Sequence, residues 1–83
     1  MIIDSEAIVK VDYGFGEIEV DRVKDFKSIK ELRKILKKNF KSYSETSKKY
    51  GKIVLYVFFQ VLLKHGEIEW FMEKRDLKEF LVR

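Results

Sequence analysis

Cysteine is absent from the 83-residue chain, which excludes disulfides, a thiol nucleophile and a Cys-based zinc or iron–sulfur site. Histidine occurs once, at His65, beside Gly66. There it reads as a turn residue, and no motif supplies the nucleophile and orienting group that a general base needs. Gly14 and Gly16 do not open a dinucleotide fingerprint, because Glu19 stands where its third glycine belongs, and no phosphate-loop signature occurs. Long apolar runs are lacking too. The longest, Ile53 to Val61 with Gln60 inside it, falls far short of the ~20 residues that span a bilayer. No charged-then-apolar leader opens the chain, so an intracellular, cytoplasmic product without membrane contact is expected. These absences argue against an enzyme and imply no metal or cofactor.

Hydrophobic residues make up 46% of the chain and aromatics 14%, enough for the core of one small domain. A chain of this size buries roughly 60–65% of its unfolded surface. Charged residues reach 39%, while Asn39 and Gln60 are the only side-chain amides. Dense Lys and Glu with few thermolabile residues is the pattern of proteins from hot environments, although a small AT-rich genome would also raise Lys, Ile and Phe. The net charge of +4 hides an asymmetry. Residues 1–23 hold six acids against Lys10 and Arg22, a net of −4, and residues 24–52 hold eleven bases against Asp25, Glu31 and Glu45, a net of +8. Residues 53–83 balance at five against five.

The acidic block predicts a β-hairpin over 7–22. Val9 and Val11, then Ile18 and Val20, alternate with polar residues on either side of Tyr13-Gly14-Phe15-Gly16. Closing that turn sets Val11 opposite Ile18, Val9 opposite Val20, Lys10 opposite Glu19 and Asp12 opposite Glu17. The basic block predicts one long helix over 28–50. Ser28 and Glu31 have capping-box spacing, and Ile29, Leu32, Leu36, Phe40, Tyr43 and Tyr50 form one apolar stripe with Ser47 in its gap. Gly51 is a natural terminator. A second capping box at Ser42 and Glu45 offers a break, but continuity or a slight kink is favoured.

Ile53–Leu63 is apolar almost all round, so periodicity does not choose between helix and strand. Its β-branched and aromatic residues favour strand. A two-residue turn at His65-Gly66 would pair Leu63 with Ile68, Val61 with Trp70 and Phe59 with Met72, which predicts a second hairpin over 52–74. Asp76 and Glu79 repeat the capping-box spacing and predict a short helix over 76–82. The whole is an α+β domain of order ββαββα, two antiparallel hairpins with one long amphipathic helix packed on the sheet. That order resembles the β-grasp class, in which two hairpins hold a helix across a mixed sheet, although the C-terminal diglycine of ubiquitin-like modifiers is missing. The alternative is a winged helix-turn-helix with Ile53–Lys64 as recognition helix; against it, that segment offers a DNA groove only Tyr56, Gln60 and Lys64.

Two surfaces stand out. On a helical projection Lys30, Lys34, Lys37, Lys41 and Lys48 line a side away from the apolar stripe, Arg33 and Lys38 flank the row, and Lys49 lies beyond it. Seven lysines to one arginine suit non-specific phosphate attraction over bidentate base readout. Nucleic acid, or an acidic protein surface, is the expected partner. The second surface is the even-numbered face of the long strand, with Tyr56, Phe58 and Gln60, joined by Phe71. The C-terminal helix, through Leu77, Phe80 and Leu81, is expected to cover part of it. What stays open of that face, or the open strand edge of the second hairpin, suits a protein partner or a homodimer. The carboxylate pairs Glu17/Glu19 and Glu67/Glu69 read as solvated strand faces, not as a cation site.

Overall fold

Alternating valines and a glycine-rich turn produce the first hairpin. A computed structural model describes residues 2–82, with the side chain of Tyr50 outside the described set. Strand β1 covers Ile2–Asp12 and β2 covers Glu17–Lys24. The Tyr13 N–H donates to the Gly16 carbonyl at 3.1 Å, and the Gly14 N–H donates to Asp12 Oδ1 at 2.8 Å. Val11 opposes Ile18, Lys10 opposes Glu19 and Asp12 opposes Glu17, but Val9 opposes Asp21 and not Val20. Val20 is the extra residue of a β-bulge. The bulge turns the Asp21 carboxylate to the face where it accepts a hydrogen bond from the Tyr43 hydroxyl.

The expected single helix is two. Helix α1 spans Ile29–Lys38 and α2 spans Phe40–Tyr50. Ser28 Oγ caps α1 by accepting from the Glu31 N–H at 3.0 Å, and the Glu31 carboxylate accepts from the Lys27 N–H at 2.8 Å. The break falls at Asn39, whose backbone (φ −100°, ψ 3°) leaves the helical region. Its N–H reaches back to the Leu36 carbonyl, tightening the last turn. Its amide meanwhile donates to the Ile35 carbonyl at 3.3 Å, local bonding that competes with the regular ladder.

Strand β3 covers Lys52–Leu62, β4 covers Ile68–Asp76 and helix α3 covers Leu77–Leu81. The strand assignment removes the recognition helix of the winged-helix reading. The sheet order is β2-β1-β3-β4 with every neighbouring pair antiparallel. The mixed sheet of the β-grasp comparison is therefore not formed. The more apolar strand β3 takes the inner place beside β1, and the charged β4 is left at the edge. Asp76 Oδ1 caps α3 by accepting from the Glu79 N–H at 3.2 Å, as the capping box predicts.

The second hairpin closes through three residues, not two. The Leu63 N–H donates to the Glu67 carbonyl at 2.8 Å and the Gly66 N–H to the Leu63 carbonyl at 3.0 Å, with Gly66 at φ 82°. This is a turn followed by a left-handed glycine in a bulge. It moves the pairing by one residue, to Leu62 with Ile68, Gln60 with Trp70 and Phe58 with Met72. A one-residue slip turns every side chain of a strand to the other face. Phe71 accordingly faces the helices, its ring stacked 4.9 Å from that of Phe59, while Trp70 and Met72 face away.

The helices lie on one face of the sheet. Ala7, Val9, Leu55 and Val57 form a buried cluster with Leu32, Leu36 and Tyr43, closed by Phe26 and by Leu77, Phe80 and Leu81 of α3. Ser5 is buried beneath this layer, and its hydroxyl donates to the Phe26 carbonyl at 2.9 Å. Arg33 ties α3 to α1, with Nε donating to the Phe80 carbonyl at 3.0 Å and the guanidinium 4.9 Å from the Phe80 ring centre. Helix α3 thus covers the odd-numbered face of β3 and not the even-numbered face, which it was expected to shield in part.

Gly51 ends α2 at φ 143°, and a Cβ there would lie 2.1 Å from the Asp12 carbonyl oxygen; at Gly66 (φ 82°) a Cβ would meet nothing within 4 Å. Gly66→Ala should therefore cost about 1–2 kcal/mol, the left-handed backbone penalty alone. Gly51→Ala should cost clearly more, because β1 must also shift. Denaturant unfolding of the two variants checks this, and equal losses would contradict the close approach of Gly51 to β1.

Candidate nucleic-acid interface and the uncovered sheet face

The apolar stripe of α1 is buried, so the residues opposite it stand in solvent. Lys30, Arg33, Lys34 and Lys37 line one shallow groove of about 500 Å³, and no acidic side chain lines it. Lys30, Lys34, Lys37, Lys38 and Lys41 are exposed, as are Lys48 and Lys49 near the end of α2. The break at Asn39 divides the expected row: Lys30, Lys34 and Lys37 stay together with Arg33, while Lys41 and Lys48 line no part of that groove. Among the described residues, none of Lys30, Lys34, Lys37 and Lys41 forms an ion pair with a carboxylate. Arg33 is the exception in kind, since its Nε is committed to α3.

On the other side of the sheet, Tyr56, Phe58 and Gln60 do share a face. Phe71 does not join them, for the reason of register given above. Trp70 and Met72 take its place, 63% and 80% exposed, and the Trp70 ring tilts against Phe58 at 5.1 Å. A mostly apolar depression of about 410 Å³ opens here, lined by Ile8, Tyr56, Phe58 and Met72 with Glu6, Lys10 and Lys74 at its margins. Trp70 and Met72 were missed as members of this face. The signal was a glycine at the third loop position of Lys64-His65-Gly66, which favours the three-residue turn.

One polar cluster crosses this face from β2 to β4. The Tyr56 hydroxyl lies 2.6 and 2.9 Å from the two Glu17 carboxylate oxygens. Lys74 Nζ stands 3.4 Å from Glu17, and the Lys10 and Lys74 ammonium groups lie 4.9 and 5.4 Å from the Tyr56 ring centre. The Tyr56 hydrogen bond, helped by Lys74 and Lys10 and opposed by partial burial, holds the Glu17 carboxyl below its ordinary value. The same bond to Glu17 raises the Tyr56 hydroxyl. Glu19 is likewise held low, by Arg22, and Arg22 also reaches Glu6 at 3.0 Å. Glu17 and Glu19 are thus both taken by protein partners. Among the described residues no group of three or more His, Cys, Asp or Glu is placed to hold a metal ion, and no helix is long and apolar enough to cross a membrane.

Comparison with protein-family models, curated proteins and solved structures gives no match. The functional reading rests on these two surfaces.

The cluster makes a pH prediction. Glu17 is held low in the folded chain, so its link to Tyr56 and Lys74 is intact above the ordinary carboxylate range and loosens as pH falls through the lowered value. Tyr56→Phe removes the largest cause, and the Glu17 titration followed by NMR should move up toward its ordinary position. An unchanged midpoint would contradict the role given to the hydroxyl.

Proposed function

We propose that the chain is a small non-enzymatic accessory protein, acting inside the cell as a monomer or homodimer. On this reading it binds nucleic acid, or a nucleic-acid-handling complex, through phosphate contacts from the outer face of α1. The observation that carries the reading is the groove lined by Lys30, Arg33, Lys34 and Lys37 with no acid among them. Lysines without carboxylate partners keep their full attraction for a polyanion, and displaced counterions add a salt-dependent gain for each phosphate neutralised. Helices α1 and α2 carry eight bases against Glu31 and Glu45, a net excess of positive charge that attracts a polyanion. Flexible ammonium groups suit backbone phosphates better than base edges.

A second reading has its own observation. Exposed Trp70 and Met72, with half-buried Phe58 against the Trp70 ring, form an apolar patch on the other side of the sheet, and such patches mark protein interfaces. An interaction module using that face would leave the lysines as a solvated surface.

The two readings separate experimentally. If α1 contacts phosphates, replacing Lys30, Lys34 or Lys37 by Gln should weaken binding to all sequences alike. Each loss should lower the salt slope by about 0.9 on duplex DNA or ~0.7 on a single strand. A Lys34→Glu/Lys37→Glu double reversal should weaken binding most, with stability changed by no more than ~0.5 kcal/mol per site, since these side chains are exposed. Failure of the unmodified chain to bind DNA or RNA at about 50 mM salt would overturn the reading and leave the protein-partner one.

A further inference from the structure

The two edges of the sheet are built differently. The β2 edge is interrupted by the Val20 bulge, a device that deflects pairing. The β4 edge runs nine residues, Ile68–Asp76, without a register shift against β3, and the chain contains no proline to interrupt it. The bond from Leu63 N–H to the Glu67 carbonyl sets the phase of the hairpin. Odd-numbered β4 residues bond to β3, so Ile68, Trp70, Met72, Lys74 and Asp76 turn their backbone N–H and C=O outward. A long, straight edge of this kind is a template for another strand.

We propose that the occupant is a second copy of this chain, pairing β4 with β4 antiparallel about a two-fold axis at Met72 to make one eight-stranded sheet. The charge pattern selects that register. With Met72 opposite itself, Glu69 meets Arg75 of the second copy twice by symmetry, and Trp70 meets Lys74, with no like charges opposed. Centring on Trp70 opposes Glu67 to Glu73, and centring on Phe71 opposes Glu69 to Glu73. Centring on Glu73 or Lys74 opposes each to its own copy. Opposite charges across a strand pair stabilise and like charges destabilise, so one register survives. Met72 is also the midpoint of Ile68–Asp76, so this register engages the whole strand. Arg75 is already beside the helix-facing glutamates, 2.9 Å from Glu73, and Trp70 and Met72 are the exposed side chains the pairing would cover.

The axis stands perpendicular to the sheet, so both helical layers lie on the same side and both α1 grooves face one way. Engagement of both grooves by one polyanion, unlike the dimer itself, rests on the proposed binding of nucleic acid.

Sedimentation of the full chain without nucleic acid should show a concentration-dependent dimer. Arg75→Glu should weaken it about tenfold or more, and the exchange Glu69→Arg/Arg75→Glu should restore it, which a merely unfolded variant would not. Met72→Cys places one cysteine per copy in an otherwise cysteine-free chain. Hydrogen-bonded antiparallel pairs have Cα atoms about 5.5 Å apart, within disulfide reach, so mild oxidation should yield covalent dimer. A strict monomer at millimolar concentration overturns the proposal, as does a dimer that is indifferent to Arg75→Glu and fails to cross-link at Met72→Cys. Binding of DNA by a monomeric wild type would sink the dimer alone, and a dimer that binds no nucleic acid would sink only the functional reading.

Discussion

The packing of Leu32, Leu36 and Tyr43 onto Ala7, Val9, Leu55 and Val57 is the contact on which both surfaces of this molecule depend. It fixes α1 with its apolar stripe down, so Lys30, Lys34 and Lys37 must point away from the sheet. It also uses up the helical material of a short chain on one face. With α3 drawn to the same side by Leu77, Phe80 and Arg33, nothing of the described chain is left to cover the other. A two-layer fold of this size therefore has a charged side and a partly apolar side as a matter of geometry.

The two sides are held in different ways. The helical side offers long, flexible cations, which cost little to keep hydrated and attract at a distance. The sheet side is braced by side chains that reach across strands: Glu17 of β2 to Tyr56 of β3 and Lys74 of β4, and Arg22 to Glu6 and Glu19. That bracing pairs Glu6, Glu17, Glu19 and Arg22 and leaves Phe58, Trp70 and Met72 as the apolar remainder beside the β4 edge.

Much of the architecture was legible in local chemistry. The capping boxes at Ser28 and Asp76 place two helix starts, Gly51 marks the end of α2, and the β-branched run after it is a strand. What was not legible turned on single residues whose effect is not periodic. Asn39 breaks the helix because its own amide and N–H bond backward, a local competition that an unbroken apolar stripe conceals. Val20 bulges so that Asp21 can meet Tyr43, a contact between residues far apart in sequence. At Gly66, two turn lengths satisfy an apolar run on β3 equally well, because β3 is apolar on both faces. The choice between them decides whether Phe71 or Trp70 and Met72 face the helices. The basic groove was readable as a row of lysines, but its division at Asn39 and the engagement of Arg33 with Phe80 required the tertiary structure.

On the proposed reading, nucleic acid meets the helical side and not the sheet. That reading is tested most directly by NMR of the 15N-labelled chain titrated with a short single-stranded oligonucleotide at low salt. Shifts should concentrate on the α1 amides from Lys30 to Lys37, with the indole N–H of Trp70, the sole tryptophan, unmoved. Shifts at Trp70, Tyr56 and Phe58 with α1 silent would contradict it.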